Sequence, residues 1–438
     1  MLSPQSALER LSELVSAEVG LIRTLDKAGR GADEPVPPYV YSATLSHFDF
    51  RTGKPIERHG SGKGPTEREA MLGAIGEAVE RYCASHVPPR GGISASWRSM
   101  EGRANPATDF VLYTERQYAT LEGRVSRWNP EAEVRWTTAH ELSGEEVFVP
   151  ATLVYLSSPD ISLADWFTPP TSNGLAAGPD FNSAALAATY ELIERDAFMI
   201  SWLARLPPRQ VLFRHTAGLP GKIADHYEQF GVELRVYWLQ NDLDPYVMMA
   251  LTLDKDPSRP ATLVGLGCHL DPNVALCKAI LEISQGRHAE IRRYRDTPPQ
   301  KNLQRYEDVR TLEDHSAYHT VHGRLAEFSF ILDNDRQVML DQLPNGSQAL
   351  PEADLHTCVE QLHSRGLRVF YSDLTTPDVA PYPIRVVRAL STGLQPIAFG
   401  NGEQRLGGSR LYELPHKLGF SDSVLREDEL NPCPHPLA

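Results

Sequence analysis

The alternation of apolar and polar residues predicts a chain that mixes helices and strands. Apolar residues recur every three to four positions over residues 6–24, which predicts an N-terminal helix. A polar stretch with Gly and Pro over residues 29–38 indicates a linker, and alternation over residues 39–48 predicts a strand. Further strands are predicted at residues 134–138, 147–156, 234–239, 246–253 and 261–266. Helical stretches lie among them, so we expect an α+β fold.

The same pattern divides the chain into three parts. Residues 1–38 are predicted to form an N-terminal helical extension with its linker. Residues 39–425 are predicted to form one long domain, because a chain of 438 residues can bury a large core. Residues 426–438 form a Pro-rich tail.

Charge and composition argue against several classes of function. With 43 basic and 57 acidic residues the net charge is −14, which disfavours binding to nucleic-acid phosphates. No stretch approaches the roughly 18 apolar residues of a membrane span, and the first residues do not resemble a signal peptide. The five cysteines are scattered without a Cys-x-x-Cys pair, which argues against a disulfide framework or a zinc site. We expect a cytoplasmic protein that binds neither nucleic acid nor membrane.

Three Gly-containing segments, which we interpret as loops, each run into a predicted helix. They cover residues 60–66, 172–180 and 265–272. Thr66 and Glu69 have the spacing of a capping box, and Asp271 followed by Pro272 is typical of a helix start. Loops of this kind can present backbone N–H groups to phosphate oxygens.

Two of these helices carry paired carboxylates. Glu77 and Glu80 are three positions apart, as are Glu191 and Glu194, so each pair shares a helical face. Small residues precede them on those faces and leave room for a ligand or a second backbone; they are Ala70, Gly73, Ala184 and Ala187. The third helix offers Glu282, Gln285 and Arg287. Carboxylates from separate helices suit Mg²⁺, which bridges carboxylates to nucleotide phosphates.

Basic residues close to these glutamates could balance the charge of phosphates. They are Lys63, Arg81, Arg195 and Arg287. The segment around Lys63 is not a Walker A sequence, because its glycine spacing differs and Gly64 occupies the Ser/Thr position. The alternative is that each Glu-x-x-Glu-Arg sequence is ordinary solvated charge on an exposed helix. The repetition of segment, small residues and carboxylate pair favours a metal–nucleotide site.

These segments resemble the three ATP-binding motifs of the YcaO family, at residues 60–83, 172–202 and 265–287. The resemblance implies the family's own α+β fold, with ATP and Mg²⁺ between a mixed sheet and the three motif helices, and a homodimer. Together with Lys63, the implied nucleotide-binding residues are Glu77, Glu80, Arg81, Glu191, Glu194, Arg195, Glu282, Gln285 and Arg287. The implied metal ligands are Glu77, Glu80, Glu191 and Glu194.

Two positions depart from the family pattern. Gly73 stands where many relatives carry Ser, and Ser183 stands where many carry a further magnesium-binding Glu. The number of metal ions therefore stays open. A catalytically silent scaffold subunit of a peptide-modifying complex is one alternative.

The end of the chain resembles the Pro-x-Pro-x-Pro tail of the azoline-forming branch of the family. Because proline fixes φ, such a segment is a stiff extended strut, although a disordered tail is the alternative. The resemblance implies that the tail reaches the active site and organises it or moves protons, through Pro432, Pro434, Pro436 and the carboxylate of Ala438. His435 is, with the Ala438 carboxylate, a candidate for collecting protons, but we favour the interpretation of His435 as a solvated tail residue and of Cys433 as incidental.

Membership of this branch implies ATP-dependent cyclisation of Cys, Ser or Thr in a ribosomally made precursor peptide to thiazoline or oxazoline. The expected partners are the precursor peptide and a separate leader-peptide-binding protein, because only about one helix fits before residue 39. Whether a flavin dehydrogenase then oxidises the rings stays open. The alternative chemistry within the family is formation of a backbone thioamide or amidine.

Overall fold

The computed structural model describes residues 4–46, 48–49, 54–55, 59–86, 92–156, 163–214, 218–299 and 302–437. Its helices are α1 Pro4–Ser12, α2 Glu67–Ala84, α3 Trp97–Met100, α4 Glu115–Thr120, α5 Ala151–Val154, α6 Phe181–Leu203, α7 Leu219–Gln229, α8 Pro272–Asp296, α9 Leu312–His319, α10 Ser329–Leu332, α11 Pro351–Ser364 and α12 Arg410–Lys417. Its strands are β1 Ile22–Lys27, β2 Tyr39–Leu45, β3 Phe48–Asp49, β4 Lys54–Pro55, β5 His59–Gly64, β6 Ile93–Ser96, β7 Glu133–His140, β8 Glu146–Pro150, β9 Leu175–Gly178, β10 Arg209–Leu212, β11 Val232–Leu239, β12 Tyr246–Asp254, β13 Val264–His269, β14 Gln337–Met339, β15 Val369–Asp373 and β16 Arg385–Ser391.

The strands in the described residues form three sheets and the short hairpin β3–β4. The three-stranded sheet has the order β1-β2-β5, and the five-stranded sheet has the order β13-β12-β11-β10-β14. The six-stranded sheet runs β6-β7-β15-β16-β9, with β8 paired to β7. Strands β10 and β14 pair in parallel, whereas β11, β12 and β13 pair antiparallel. The α+β prediction is confirmed, and no helix in the described part of the chain is long and apolar enough to cross a bilayer.

Three long helices each follow a strand and pack against it. Helix α2 follows β5, α6 follows β9, and α8 follows β13. The interior of the protein is built around them, because the largest buried apolar cluster centres on α6 and two others on α2 and α8. The segments that the sequence singled out therefore form three strand–helix units at the centre of the fold.

Glycines allow two of these strands to lie directly on their helices. A Cβ on Gly62 of β5 would come within 2.0 Å of the Ala70 carbonyl oxygen, and one on Gly267 of β13 within 2.2 Å of the Ala275 carbonyl oxygen. The predicted phosphate-binding loops are therefore wrong for these two segments, which are strands, and for the part of the third segment that forms β9. The small helical residues make room for a second backbone, one of the two uses that we expected.

The N-terminal helix is shorter than predicted. Helix α1 ends at Ser12 and β1 begins at Ile22, so the second half of the helix prediction for residues 6–24 is wrong. Between them the chain turns: the Ser16 N–H donates to the Ile22 carbonyl oxygen and the Ile22 N–H donates to the Leu14 carbonyl oxygen, both at 2.9 Å. The apolar spacing in this stretch reflects burial of a turn and a strand.

Most other predicted elements agree with the structure to within a few residues. The exception is the strand predicted at residues 147–156, which ends at Pro150 and gives way to α5 because proline has no N–H to continue the ladder. The capping box of Thr66 and Glu69 is present, and Asp271 caps α8 with Pro272 in its first turn. These local signals are confirmed.

Candidate active site

The three long helices surround one large cavity of about 790 Å³, a volume typical of small-molecule sites. Nine of the predicted nucleotide-binding residues line it, namely Lys63, Glu77, Glu80, Arg81, Glu191, Arg195, Glu282, Gln285 and Arg287. Glu194, the tenth, does not line the cavity but pairs with Arg195, which does. Ser61 and Ser172, which were not predicted as site residues, also line the cavity.

On α2, Glu77 is held from two sides. The Ser61 N–H of β5 donates to Glu77 Oε2 at 2.8 Å, and Arg81 Nε donates to Glu77 Oε1 at 3.1 Å. Burial raises the pKa of Glu80 well above its ordinary value, and the nearby charges of Glu191 and Glu77 raise it further. On helix α2, the Glu77 carboxylate is therefore already paired with an arginine, whereas the ionised form of Glu80 needs a cation.

On α6, Arg195 lies between two carboxylates. Its Nη2 is 3.7 Å from Glu191 Oε1, and its Nη1 is 3.5 Å from Glu194 Oε1. Burial raises the pKa of both carboxyls, that of Glu194 to about 7, although the charge of Arg195 counters the effect. Within the described residues, Arg195 Nη1 is buried and makes no hydrogen bond. This N–H group is available to an oxyanion in the cavity.

Helix α8 repeats the arrangement of α2. The Leu266 N–H of β13 donates to Glu282, and donor and acceptor are 16 residues apart, as they are for Ser61 and Glu77. On α6, a backbone hydrogen bond from Gly174 holds the Glu191 carboxylate in the same way. Each long helix therefore has one glutamate that is held by the backbone preceding the helix.

Arg287 lines the cavity, but its guanidinium is bound to the N-terminal segment. Its Nη1 donates to Asp33 Oδ2 at 2.7 Å and to Glu34 Oε1 at 2.6 Å, and the residue is 2% exposed. Both acids belong to residues 29–38, which are thus packed onto α8. Arg287 anchors this segment, and its contact with a nucleotide stays a prediction.

The carboxylates form an open site. In the described ranges, no three acidic, histidine or cysteine side chains are arranged as a complete ligand set for a metal ion. Mg²⁺ suits an open site, because it takes one or two carboxylates and completes its shell with waters and substrate phosphates. The raised pKa values of Glu80 and Glu194, which result from burial, make a neighbouring cation favourable. These residues fit Mg²⁺ bound together with a nucleotide, whereas the individual ligands among Glu77, Glu80, Glu191 and Glu194 stay a prediction.

The structure accounts for one of the two departures from the family pattern. A Cβ on Gly73 would lie 3.2 Å from the Gly62 Cα, so the glycine accommodates the close approach of β5. Ser183 lies in the first turn of α6, where its N–H donates to Asp180 Oδ1 at 2.8 Å. Nothing in the structure explains why this position is Ser.

The C-terminal tail passes through the core and reaches the cavity. Pro436 and Leu437 line the cavity, while Pro432 is exposed at the surface. Trp202 Nε1 donates to the Cys433 carbonyl oxygen at 2.8 Å. Residues 431–437 are therefore an ordered part of the fold, and Ala438 lies outside the described residues.

Histidines hold this tail, and the interpretation of His435 as solvated is wrong. His435 is 1% exposed, and its ring stacks on His315 with centroids 4.0 Å apart. His315 Nδ1 donates to the His435 carbonyl oxygen at 2.9 Å, and His319 Nε2 donates to the Pro434 carbonyl oxygen at 2.7 Å. Burial lowers the pKa of His315 to about 4 and that of His319 to about 3, so the rings are neutral at pH 7. His315 and His319 are four residues apart on α9, and this spacing was the sequence feature that could have indicated their shared role.

Arg388 is a further residue near the site that was not predicted from the sequence. It lies on β16 with 2% exposure, and its positive charge counters the effect of burial on the pKa of Glu80 and of Glu191. The available signal was a single arginine within an apolar stretch, from Val386 to Leu390. A charge in such a stretch is either exposed or matched by buried acids.

A cavity of this size, lined by carboxylates from three helices and by Lys63, Arg81 and Arg195, defines a protein that binds a polyanion together with a hard cation. The family model described as YcaO cyclodehydratase, ATP- and Mg²⁺-binding, matches residues 61–395. The chain therefore belongs to the YcaO family. It is an ATP-dependent enzyme of that family, and ATP and Mg²⁺ are its cofactors.

Comparison with individual proteins agrees with this assignment. An uncharacterised protein of Methanothermobacter thermautotrophicus is 28% identical over 407 residues, which are 91% of this chain and 94% of that protein. A structure described as a heterocyclase in complex with substrate and cofactor has a TM-score of 0.82 and 24% identity, and covers 100% of this chain. This chain spans 57% of that heterocyclase. A YcaO protein of Methanopyrus kandleri bound with AMPPCP and Mg²⁺ has a TM-score of 0.65 and 22% identity, covering 90% of this chain and 92% of that one.

Proposed function

We propose that this enzyme forms azoline rings by cyclising Cys, Ser or Thr residues of a ribosomally made precursor peptide onto the preceding amide. The observation that carries the proposal is the course of the tail. In this chain, which belongs to the YcaO family, Pro436 and Leu437 line the same cavity as the carboxylates of α2, α6 and α8. The fold shared with a structure described as a heterocyclase in complex with substrate and cofactor also supports it.

Ring formation requires the amide oxygen to leave. A thiol or hydroxyl adds to the carbonyl carbon. The carbonyl oxygen then leaves together with the thiol or hydroxyl proton and the amide N–H proton, so a C=N bond forms with a net loss of one water. ATP with Mg²⁺ supplies the phosphoryl group that converts this oxygen into phosphate, a good leaving group. Lys63, Arg81 and Arg195 would balance the phosphate charge, and the unbonded Nη1 of Arg195 is a donor for it.

We propose that the tail positions the peptide amide and accepts protons. Leu437 lines the cavity, and the carboxylate of Ala438, the next residue in the sequence, is the proposed proton acceptor. The hydrogen bonds from Trp202 and His319 to tail carbonyl oxygens, at 2.8 and 2.7 Å, would fix the approach of this carboxylate. A carboxylate held at a reacting group is a suitable general base.

We infer that a separate partner protein captures the leader peptide and delivers the core peptide. A structure described as the E. coli microcin synthetase McbBCD complex with pro-MccB17 bound shares this fold with a TM-score of 0.57 over 84% of this chain, which supports a multi-protein assembly here. If this chain alone processed a full precursor as fast as the chain with its partner, the partner would not be needed.

Mass spectrometry of a reconstituted reaction tests the chemistry. With precursor, partner, ATP and Mg²⁺, we expect the peptide to lose one water per ring while one phosphate is released per water. An exchange of oxygen for sulfur would instead identify thioamide formation. An unchanged peptide without phosphate release under any condition would support a silent scaffold.

Deletion of residues 434–438 tests the role of the tail. We expect near-complete loss of cyclisation with ATP binding retained, because the deletion removes the wall formed by Pro436 and Leu437 but none of the glutamates. Nucleotide binding is measured by calorimetry and cyclisation by mass spectrometry.

Trp202→Phe is a milder variant for the same test. It removes the hydrogen bond to the Cys433 carbonyl oxygen, worth about 1 kcal/mol, and should slow cyclisation without preventing it. Full activity of the deletion variant would refute the proposal.

A further inference from the structure

A second, smaller cavity lies directly behind the loop of residues 171–174. Its volume is about 60 Å³, which accommodates a few waters or one small oxyanion. Ser172 lines the large cavity, whereas Thr171 and Asn173 line the small one. One short loop therefore separates the two cavities.

Two buried arginines line the small cavity. Arg388 is 2% exposed and Arg405 is 7% exposed. Arg388 donates three of its five N–H groups to the carbonyl oxygens of Val154, Asn173 and Thr171, at 2.7 to 2.8 Å. Its charge also lies near Glu191 and Glu80. Arg388 therefore has Glu191 and Glu80 as counter-charges on the side of the active site, and two of its N–H groups are not used in these hydrogen bonds.

Arg405 differs because its charge has no counter-ion among the described residues. Its Nε is fully buried without an acceptor, and its charge has Tyr113 but no acidic side chain among its interaction partners in the described residues. Burial lowers the pKa of Arg405 to about 10, and Arg388 is a second cation close by. A buried cation is costly unless it is paired. An anion in the cavity between the two arginines would remove this cost.

Other polar groups at the cavity also lack partners. Thr152 Oγ1 and Asn173 Oδ1 are buried and make no hydrogen bond to a described residue. The Thr152 hydroxyl can donate to an oxyanion, as can the two guanidinium groups. The remaining wall is apolar, with Leu192 and Leu394 among its residues. Such a site is positively charged and offers several hydrogen-bond donors.

We propose that this cavity binds phosphate between Arg405 and Arg388, behind the loop that borders the active site. The choice of phosphate rests on the proposed function, because that reaction releases phosphate on the other side of the loop. The cavity would then hold the product before it leaves, and Arg405 would be a binding residue for it.

Phosphate binding by the full chain tests this proposal without precursor peptide or turnover. The large cavity is first saturated with a non-hydrolysable ATP analogue and Mg²⁺, and binding of inorganic phosphate is then measured by equilibrium dialysis and by the shift in Tm. We expect phosphate to bind and raise the Tm, and acetate at the same concentration to have no effect. In Arg405→Met, phosphate affinity should fall at least about tenfold, because a charged donor is lost.

Matched variants separate binding from structure. Without phosphate, Arg405→Met should have the same or a higher Tm, since it removes an unpaired buried charge. Thr152→Val, which keeps the shape of the side chain, should weaken phosphate binding without lowering the Tm, and Arg426→Met at the surface should change neither. Phosphate binding that survives both cavity substitutions, or that disappears once the ATP analogue is bound, would overturn the proposal. Failure of azoline formation would leave this result unaffected.

Discussion

The strand–helix units β5–α2 and β13–α8 have the same construction but different roles for their arginines. In each, a Gly-containing strand lies on alanines of the helix, and a strand N–H donates to a glutamate, Glu77 or Glu282. On α2 the following arginine, Arg81, binds Glu77 at the cavity. On α8 the following arginine, Arg287, binds Asp33 and Glu34 of the N-terminal segment. The shared construction therefore concerns backbone packing and does not fix the function of every side chain.

The position of each arginine along its helix explains the difference. Arg81 is four residues after Glu77 and so lies on the same helical face. Arg287 is five residues after Glu282, and Gly286 occupies the fourth position. At 3.6 residues per turn, one extra residue rotates a side chain by about 100° around the helix. Arg287 is thereby turned away from the carboxylates and toward the segment at Glu34.

The largest expected effect concerns the residue three positions after the glutamate that is held by the backbone preceding its helix. This residue is Glu80 on α2, Glu194 on α6 and the neutral Gln285 on α8. Glu80→Gln makes α2 resemble α8 at this position, and we expect turnover to fall at least about a hundredfold, as when a charge-stabilising group is removed. Glu194→Gln should do the same. Phosphate release and ring formation are measured, with Glu413→Gln on α12 as a surface control. Unchanged ATP use in both variants would mean that the metal site lies elsewhere.

The same substitutions make a prediction about pH. Burial raises the pKa of Glu194 to about 7, so the folded protein holds this proton more tightly than the unfolded chain does. This carboxyl then favours folding below about pH 4.5, and its contribution is lost as the pH rises toward 7. The Tm of Glu194→Gln minus that of the unaltered protein should therefore increase between pH 5 and pH 8. A difference that is constant with pH would mean that Glu194 is not destabilised by burial.

The sequence predicted what depends on neighbours along the chain. The capping box of Thr66 and Glu69, the start of α8 at Pro272 and the faces of the paired glutamates are all local features. The burial of His435 and of Arg405 depends on elements that are distant in sequence, and no spacing rule reports it. The loop prediction for the Gly-containing segments is wrong for a related reason, because glycine suits a phosphate-binding loop and close strand–helix packing equally well.

The next largest effect separates the two arginines. Arg287→Met leaves Glu34 buried beside Asp33, with Arg30 as its one remaining cationic partner in the part of the chain that the structure describes. This should destabilise the fold by about 3 kcal/mol. Arg81 is partly exposed at the cavity, so Arg81→Met should cost turnover and ATP affinity but little stability. Urea unfolding and phosphate release are measured on both variants. If both variants lost stability equally, the distinction between an anchor and a site residue would fail.

The smallest expected effect tests the construction that the two units share. Gly62→Ala and Gly267→Ala each place a Cβ within about 2 Å of a helical carbonyl oxygen, so strand and helix must separate. We expect a loss of about 1–3 kcal/mol in each case, by overpacking. Gly76→Ala is the matched control within α2, because its Cβ would meet the nearest atom, Ala177 Cβ, at 3.9 Å, which is ordinary contact. That substitution should stabilise the protein by about 0.5–1 kcal/mol, since alanine is the better helix former. Urea midpoints rank the three variants, and equal midpoints for Gly62→Ala and Gly76→Ala would show that β5 does not need the glycine to reach α2.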